Sequence, residues 1–215
     1  MTMKSNPKRS YNSNRRKAQS LETQMQILKA AEQLFVERGY RGTSIDAIAQ
    51  KADVAAETIY SNFGNKRAIL SRVVDVAVVG DREPIPLLAR SYITEIESET
   101  DQHHQIELFA KRVQLIMSRV APMFEVMRSA AKTEPEIDIL LKDYLNGRIQ
   151  GMNYFYDCLT ANGNLRKNMD RQTAAETLWT LTSAEVYNLL IVDRQWSAEE
   201  YEHWLAETLS RLLLP

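Results

Sequence analysis

Cysteine occurs once in these 215 residues, at Cys158. That excludes an internal disulfide framework and a thiolate zinc cluster; a lone free thiol suits a reducing compartment and reads as a small core side chain. Glycine and proline are scarce too, at 7 and 6. A sheet protein with many tight turns needs more, so long helices are favoured. No apolar run approaches the roughly 20 residues of a membrane-spanning helix. The basic residues near the N-terminus have no apolar stretch behind them, unlike a secretory signal. A cytoplasmic protein with no membrane partner is expected. Only three histidines are present. Two of them, His103 and His104, would point about 100° apart on a helix, a poor chelating pair. With no clear third ligand nearby they read as a solvated helix start. There is no nucleophile–base–orienter set, no Glu-x-x-His pair and no phosphate-cradling glycine loop. Neither catalysis nor a metal or cofactor is expected.

What the chain does have is an uneven charge distribution under an ordinary composition. Hydrophobic residues make up 44% and charged residues 26%, with a net charge of −1. Residues 1–20 carry Lys4, Lys8, Arg9, Arg15, Arg16 and Lys17 and no acid; residues 21–80 balance seven basic against seven acidic side chains; residues 81–215 hold 14 basic and 21 acidic. A basic arm, a neutral module and an acidic body would present one end to a polyanion. The arm, rich in Ser, Asn, Lys and Arg, is expected to be disordered when nothing is bound.

Hydrophobic periodicity predicts an all-α protein of about nine or ten helices. Ile27, Leu28, Ala31, Leu34 and Phe35 mark a first helix stopped by Gly39. Thr43 or Ser44 caps a short second helix, and a third runs from about Ala55 to Asn62. Asn65 caps a fourth helix that turns Ile69, Leu70, Val73, Val74 and Ala77 inward. Gly80 and the Pro84/Pro86 pair then mark a boundary near residue 81. Beyond it, one face from Ile106 to Val120 is interrupted by Pro122, and a short helix with Met123, Phe124 and Met127 follows. A long helix spans about Glu136–Ala161, with two more at about Asp170–Val192 and Ser197–Leu214. Ser197-Ala-Glu-Glu200 has the form of a capping box.

Residues 44–63, SIDAIAQKADVAAETIYSNF, have the make-up of a helix-turn-helix. Small Ala49 lets two short helices cross closely, and Ile45, Ile48, Val54 and Ile59 fill the wedge. A second helix that buries Ala55, Ile59 and Phe63 leaves Ala56, Glu57, Thr58, Tyr60 and Ser61 outward, on a face about as wide as a major groove. Residues 58–70, TIYSNFGNKRAIL, together with Ala30-Ala31-Glu32-Gln33-Leu34-Phe35, Gly39-Tyr40, Thr43-Ser44 and Ile48-Ala49, resemble the signature of the TetR family of transcriptional regulators over about residues 21–80. The resemblance implies a three-helix DNA-binding domain there and a C-terminal helical ligand-binding and dimerisation domain over 81–215. It implies phosphate contacts from Thr43, Ser44, Tyr60 and Lys66, and base contacts from Ala56, Glu57, Thr58 and Ser61. Arg15, Arg16 and Lys17 would add backbone or minor-groove contacts. Two positions depart from the family pattern: Asp53 stands where a turn glycine is usual, and Ala55 where a capping serine is usual.

The remainder matches the family only in being helical and of similar length. Phe109, Val113, Ile116, Met117, Met123, Met127, Tyr144, Met152, Phe155 and Trp179 supply flexible or flat apolar side chains, and the resemblance implies that such residues line a pocket for a small effector. Asn153, Glu185 and Asn188 are candidate polar anchors within it. The last two helices are apolar on more than one side. Leu178, Leu181, Val186 and Leu189, with Trp204, Leu205, Leu209 and Leu212, ask for a partner beyond their own domain, which the resemblance makes a homodimer interface. The implied function is a dimeric repressor released from a palindromic double-stranded DNA operator by an apolar or aromatic effector. An activator, or a protein-interaction module with a degenerate helix-turn-helix, are the alternatives.

Overall fold

Every regular element is helical among the residues this computed structural model describes, 8–80, 91–167 and 169–215. The order is α1 (Lys8–Arg38), α2 (Ile45–Ala52), α3 (Ala56–Phe63), α4 (Lys66–Val79), α5 (Ser91–Ser98), α6 (Gln102–Ala131), α7 (Pro135–Asn162), α8 (Arg171–Leu181), α9 (Ala184–Asn188), a π turn (Leu189–Asp193) and α10 (Ala198–Leu213). The chain falls into two compact units that divide between Val73 and Val74, inside α4. The sequence places its break after that helix, and the Pro84/Pro86 pair used to mark it lies outside the described residues. Lys4 also lies outside them, as do the side chains of Lys8, Arg9 and Lys17.

In the first unit, Ile27, Leu28, Ala31, Leu34 and Phe35 of α1 are buried, as are Ile48 and Ala49 of α2, Ile59 of α3 and Ile69, Leu70 and Val73 of α4. Each large side chain so buried contributes about 1.5–3 kcal/mol, which short helices need because eight residues cannot sustain a helix alone. Gly39, at φ 70°, ends α1 in a left-handed residue. Gly42 permits the next turn, since a Cβ there would collide with the Arg38 carbonyl oxygen. The N-terminal arm differs from its compositional reading: α1 is already helical from Lys8. Arg, Lys, Gln and Ala between residues 15 and 19 are good helix formers, and they extend a helix already nucleated by the packed half downstream.

The second unit is built on two long helices, α6 and α7, against which α8, α9 and α10 pack. Two expectations are corrected there. Pro122 does not interrupt α6, which runs on to Ala131. The proline is exposed, as is Ser118 one turn before it, so the carbonyl that loses its amide partner faces water. Val120, Ala121, Met123 and Phe124 on either side are buried and hold both halves in the core. Conversely, the single helix expected over Asp170–Val192 is broken. The Thr182 hydroxyl donates to the Leu178 carbonyl at 2.8 Å, and the Ser183 hydroxyl accepts from the Val186 amide at 3.3 Å. Side-chain bonds of this kind compete with helix continuation. The segment then closes in the π turn, and Gln195 takes a left-handed φ of 59° before α10.

Helix starts follow the sequence closely. Asp101 accepts from the amides of His103 and His104, Asp170 from Thr173, and Ser197 with Glu200 completes the capping box of α10. Amide donors at these caps hold the Asp170 and Glu200 carboxyls below the usual range, chiefly the amides of Thr173 and Ser197 respectively. A depressed carboxylate stabilises the fold above its unfolded pKa, and that contribution is lost as pH falls through the folded value. Thermal midpoints are therefore expected to fall on the acid side of the carboxylate range, and less steeply in a D170N/E200Q variant. Ser197→Ala should lower stability at neutral pH by about 1 kcal/mol, read from the denaturant midpoint; an unchanged midpoint would remove the capping box from the list of stabilising contacts.

Candidate functional site

The turn between α2 and α3 forms because Asp53 accepts a left-handed conformation, φ 52° and ψ 48°, with its amide directed at the Ala49 and Gln50 carbonyls. Asp therefore does the work of the glycine usual at this position, at a modest steric cost. Ser44 caps α2 by accepting from the Ala47 amide at 3.1 Å. At α3 the cap residue Ala55 makes no side-chain bond. The first amides of α3 are thus left without a side-chain cap at a positive helix end that attracts anions.

The outward face of α3 is the one the sequence predicts. Glu57, Tyr60 and Ser61 are exposed, Tyr60 by 55%, while Ala56 and Thr58 are half-buried at its edge. Only Ile59 is fully buried on the inner side; Ala55 is exposed and Phe63 half-buried, contrary to the four-residue stripe expected. An eight-residue helix buries little beyond one central side chain, and α3 is held by polar contacts as well. Gln24 of α1 donates to Asn62 Oδ1 at 3.0 Å, and Asn62 donates to the Thr58 carbonyl at 2.7 Å. Ser61 Oγ donates to the same carbonyl at 2.9 Å. Glu57 sits in the first turn, where a carboxylate is favoured by the helix dipole. Arg15 and Arg16 stand exposed on α1.

Two residues expected at phosphates are turned inward. Thr43 is 1% exposed, and its hydroxyl is directed at the Leu34 and Gly39 carbonyls at 3.0 and 2.9 Å. Lys66 Nζ donates to the Tyr40 and Thr43 carbonyls, both at 2.8 Å, and lies 4.2 Å from the centre of the Tyr40 ring. An ammonium with three donors, two of them given to backbone carbonyls, acts as a brace for the α1–α2 turn. Nothing in a motif distinguishes a lysine that reaches outward from one that reaches back to the turn preceding it. Gln24 was missed for a similar reason, since its partner Asn62 lies 38 residues away.

In the second unit Phe109, Val113, Met117, Met123, Met127 and Phe155 are buried core, and Phe109 stacks on Phe155 at 3.8 Å. Ile116, Tyr144, Met152 and Trp179 are half-buried. A cleft of about 590 Å³ opens elsewhere, at the start of α6 beside α10, and is lined by His103, Glu107, Arg166, Glu202 and His203 among others. Most of the side chains around it are polar or charged, and none of those expected to line an effector pocket is among them. Among the candidate anchors, Asn153 accepts from Arg171 at 3.2 Å and Glu185 pairs with Arg128, while Asn188 is half-buried. The described residues include no cluster of three His, Cys, Asp or Glu able to hold a metal. Burial pushes the Cys158 thiol up, away from reactive thiolate.

The residues expected at a dimer interface divide. Leu178, Leu205 and Leu209 are fully buried inside the protomer and are not available to a partner. Leu181, Val186 and Trp204 are half-buried, and Leu189 and Leu212 are 56% and 38% exposed. Val192, at 56%, adds an exposed apolar side chain that the sequence reading passed over. Helical periodicity shows that a face is apolar and leaves open which chain covers it.

Lys66→Met should destabilise the N-terminal unit by about 1–3 kcal/mol, because the Tyr40 and Thr43 carbonyls lose a charged donor. Ala55→Ser should stabilise it by about 1 kcal/mol by capping α3. Thermal melting of both variants checks this; an unaltered Lys66→Met midpoint would mean the ammonium braces nothing.

Residues 27–73 match the family model for bacterial regulatory proteins of the tetR family. Over 52 residues the chain is 44% identical to the uncharacterised HTH-type transcriptional regulator YvkB of Bacillus subtilis, covering 24% of this chain and 28% of that protein. Over 105 residues it is 31% identical to the HTH-type transcriptional repressor BepR of Brucella suis, covering 43% and 50%. The matched segments thus span no more than half the length of these relatives. The fold extends further: the crystal structure of NalD, the secondary repressor of the MexAB-OprM multidrug efflux pump in Pseudomonas aeruginosa, superposes with a TM-score of 0.67 at 21% identity over 91% of this chain and 98% of that one. Residues 27–73 thus carry the DNA-binding domain of the tetR family of bacterial regulatory proteins, and the chain as a whole shares the all-helical fold of the solved structure.

Proposed function

We propose that this protein is a sequence-specific DNA-binding transcriptional regulator that acts as a homodimer on a palindromic operator. The observation that carries the reading is the outer face of α3. Glu57, Tyr60 and Ser61 are exposed there on a helix whose hydrophobic and polar supports all lie on its other side. Ala56, Thr58 and Ser61 offer methyl and hydroxyl groups suited to base edges, and Glu57 an acceptor for cytosine N4. Tyr60, Ser44, Arg15 and Arg16 are accessible for phosphates and set the register. Thr43 and Lys66 support this surface from behind.

Exposed Leu189, Val192 and Leu212 support self-association, and one short helix with few base contacts needs a second copy to exceed the non-specific background. BepR and NalD are named as repressors, and repression relieved by a small effector in the C-terminal unit is the form proposed for this chain. Such an effector acts by binding one state of the dimer more tightly than the other.

Selection of bound fragments from random or genomic DNA should enrich a palindrome with half-sites about one helical turn apart. On that site the R15A/R16A variant should lose affinity and flatten the dependence of log K on log salt by up to about 2 units. Sequence-blind retention would defeat the proposal.

A further inference from the structure

Two guanidinium groups in the second unit share a single carboxylate. Arg128 forms an ion pair with Glu185. Arg148, on α7, has only neutral acceptors among the described residues: its Nη2 donates to the Trp179 carbonyl at 2.9 Å and to Thr182 Oγ1 at 3.2 Å, and its guanidinium lies 5.2 Å from the Trp179 ring centre. Burial pulls the Arg148 guanidinium down to about 10; Glu185 opposes this and the Arg128 charge adds to it. Among the described residues one positive charge is therefore in excess in a half-buried place, where an uncompensated charge is costly.

A second, independent feature lies in the same place. Tyr201 of α10 is fully buried, yet its hydroxyl has no hydrogen-bond partner among the described residues. Its neighbour Tyr187 lies edge-on at 5.0 Å between ring centres, close to the buried side chain of Gln114. The Tyr201 hydroxyl and Arg148 are near enough to influence each other electrostatically. A buried hydroxyl without a partner normally marks a missing ligand or water. Beside Arg148, Tyr144 and Met152 recur at four-residue spacing on the same stripe of α7, and all three are half-buried, as is Trp179.

We propose that Arg148 and Tyr201 anchor a monoanionic effector, an apolar or aromatic carboxylic acid whose carboxylate pairs with Arg148 and accepts a hydrogen bond from the Tyr201 hydroxyl while its body lies against Trp179 and Met152. The inference rests on the reading of the C-terminal unit as an effector domain and gives that effector a chemical class. Charge count selects the class, since one carboxylate neutralises the single excess charge, whereas a phosphate brings nearly two. Geometry agrees: the Nε and Nη1 donors of Arg148 make no bond among the described residues, so each can give a single hydrogen bond to a carboxylate oxygen.

Calorimetric titration of the full chain with 2-naphthoate and decanoate, each against its own primary amide, tests this. The acids should bind at least tenfold more tightly than the amides. Arg148→Gln should bring acid affinity to the amide level and leave amide affinity unchanged. Tyr201→Phe, which keeps the packing, should weaken acid binding several-fold and spare the amides. Amides that bind as tightly as acids would overturn the carboxylate anchor and leave an effector site standing. Full acid affinity in Arg148→Gln would also overturn the anchor, and no binding of any of the four compounds would overturn both readings.

Discussion

A helix ends with four carbonyls that no amide of its own can reach, and in a protein made of helices the cost of leaving them unpaired recurs at every turn. Long side chains from neighbouring helices meet that cost here. Arg119 of α6 donates to the Ala77 carbonyl at the end of α4 at 2.8 Å. Gln105 donates to Ile96 at the end of α5 at 2.7 Å, and Gln102 to Leu159 at the end of α7 at 2.9 Å. Arg166 takes the Leu214 carbonyl beyond α10 at 2.6 Å. Lys66 does the same for the turn after α1. Where the donor is a cation, its charge also complements the negative end of the helix dipole.

The division of labour in the N-terminal unit follows from this. Lys66, Thr43, Gln24 and Asn62 hold the short helices from inside, and Asp53 turns the chain between α2 and α3. Among the described residues, the side chains on the outer face of α3 carry no hydrogen bond that supports the fold apart from that of Ser61, which is local. A reading surface can vary in sequence without cost to the fold when its supports lie elsewhere. In the C-terminal unit the long side chains are spent in the same way, on helix ends and on Arg128–Glu185, and Arg148 is left holding the charge in excess.

Much of this was legible in the sequence because the signals are local. Gly39, Ser44, Asn65, Asp170 and the Ser197–Glu200 pair set helix ends within a few residues of themselves, and the α1 stripe from Ile27 to Phe35 needs only a period of 3.6. The exposed Glu57–Tyr60–Ser61 face followed from the same period. What sequence reasoning misread was decided at long range. Pro122 reads as a helix breaker unless the packing of Ala121, Met123 and Phe124 is known. Lys66 reads as a solvent-facing cation unless the Tyr40 carbonyl is known to lie beneath it. Leu205 and Leu209 belong to the same apolar stripe as Leu212, and only the fold decides which of them its own chain covers. Arg148 could have been noticed as a lone cation between Tyr144 and Met152, although its unmatched charge depends on Arg128 and Glu185.

The claim that α3 presents its outer face to DNA is tested most directly by placing a negative charge on that face. Ser61→Glu puts a carboxylate beside Tyr60 at a side chain bonded to its own helix; Thr160→Glu makes the equivalent change at an exposed position of α7 with the same kind of local bond. Affinity for a selected DNA site, measured by fluorescence anisotropy, should fall by two orders of magnitude or more in Ser61→Glu and stay within about twofold in Thr160→Glu, with both proteins folded. Equal affinity in the two variants would contradict the assignment of this face to DNA.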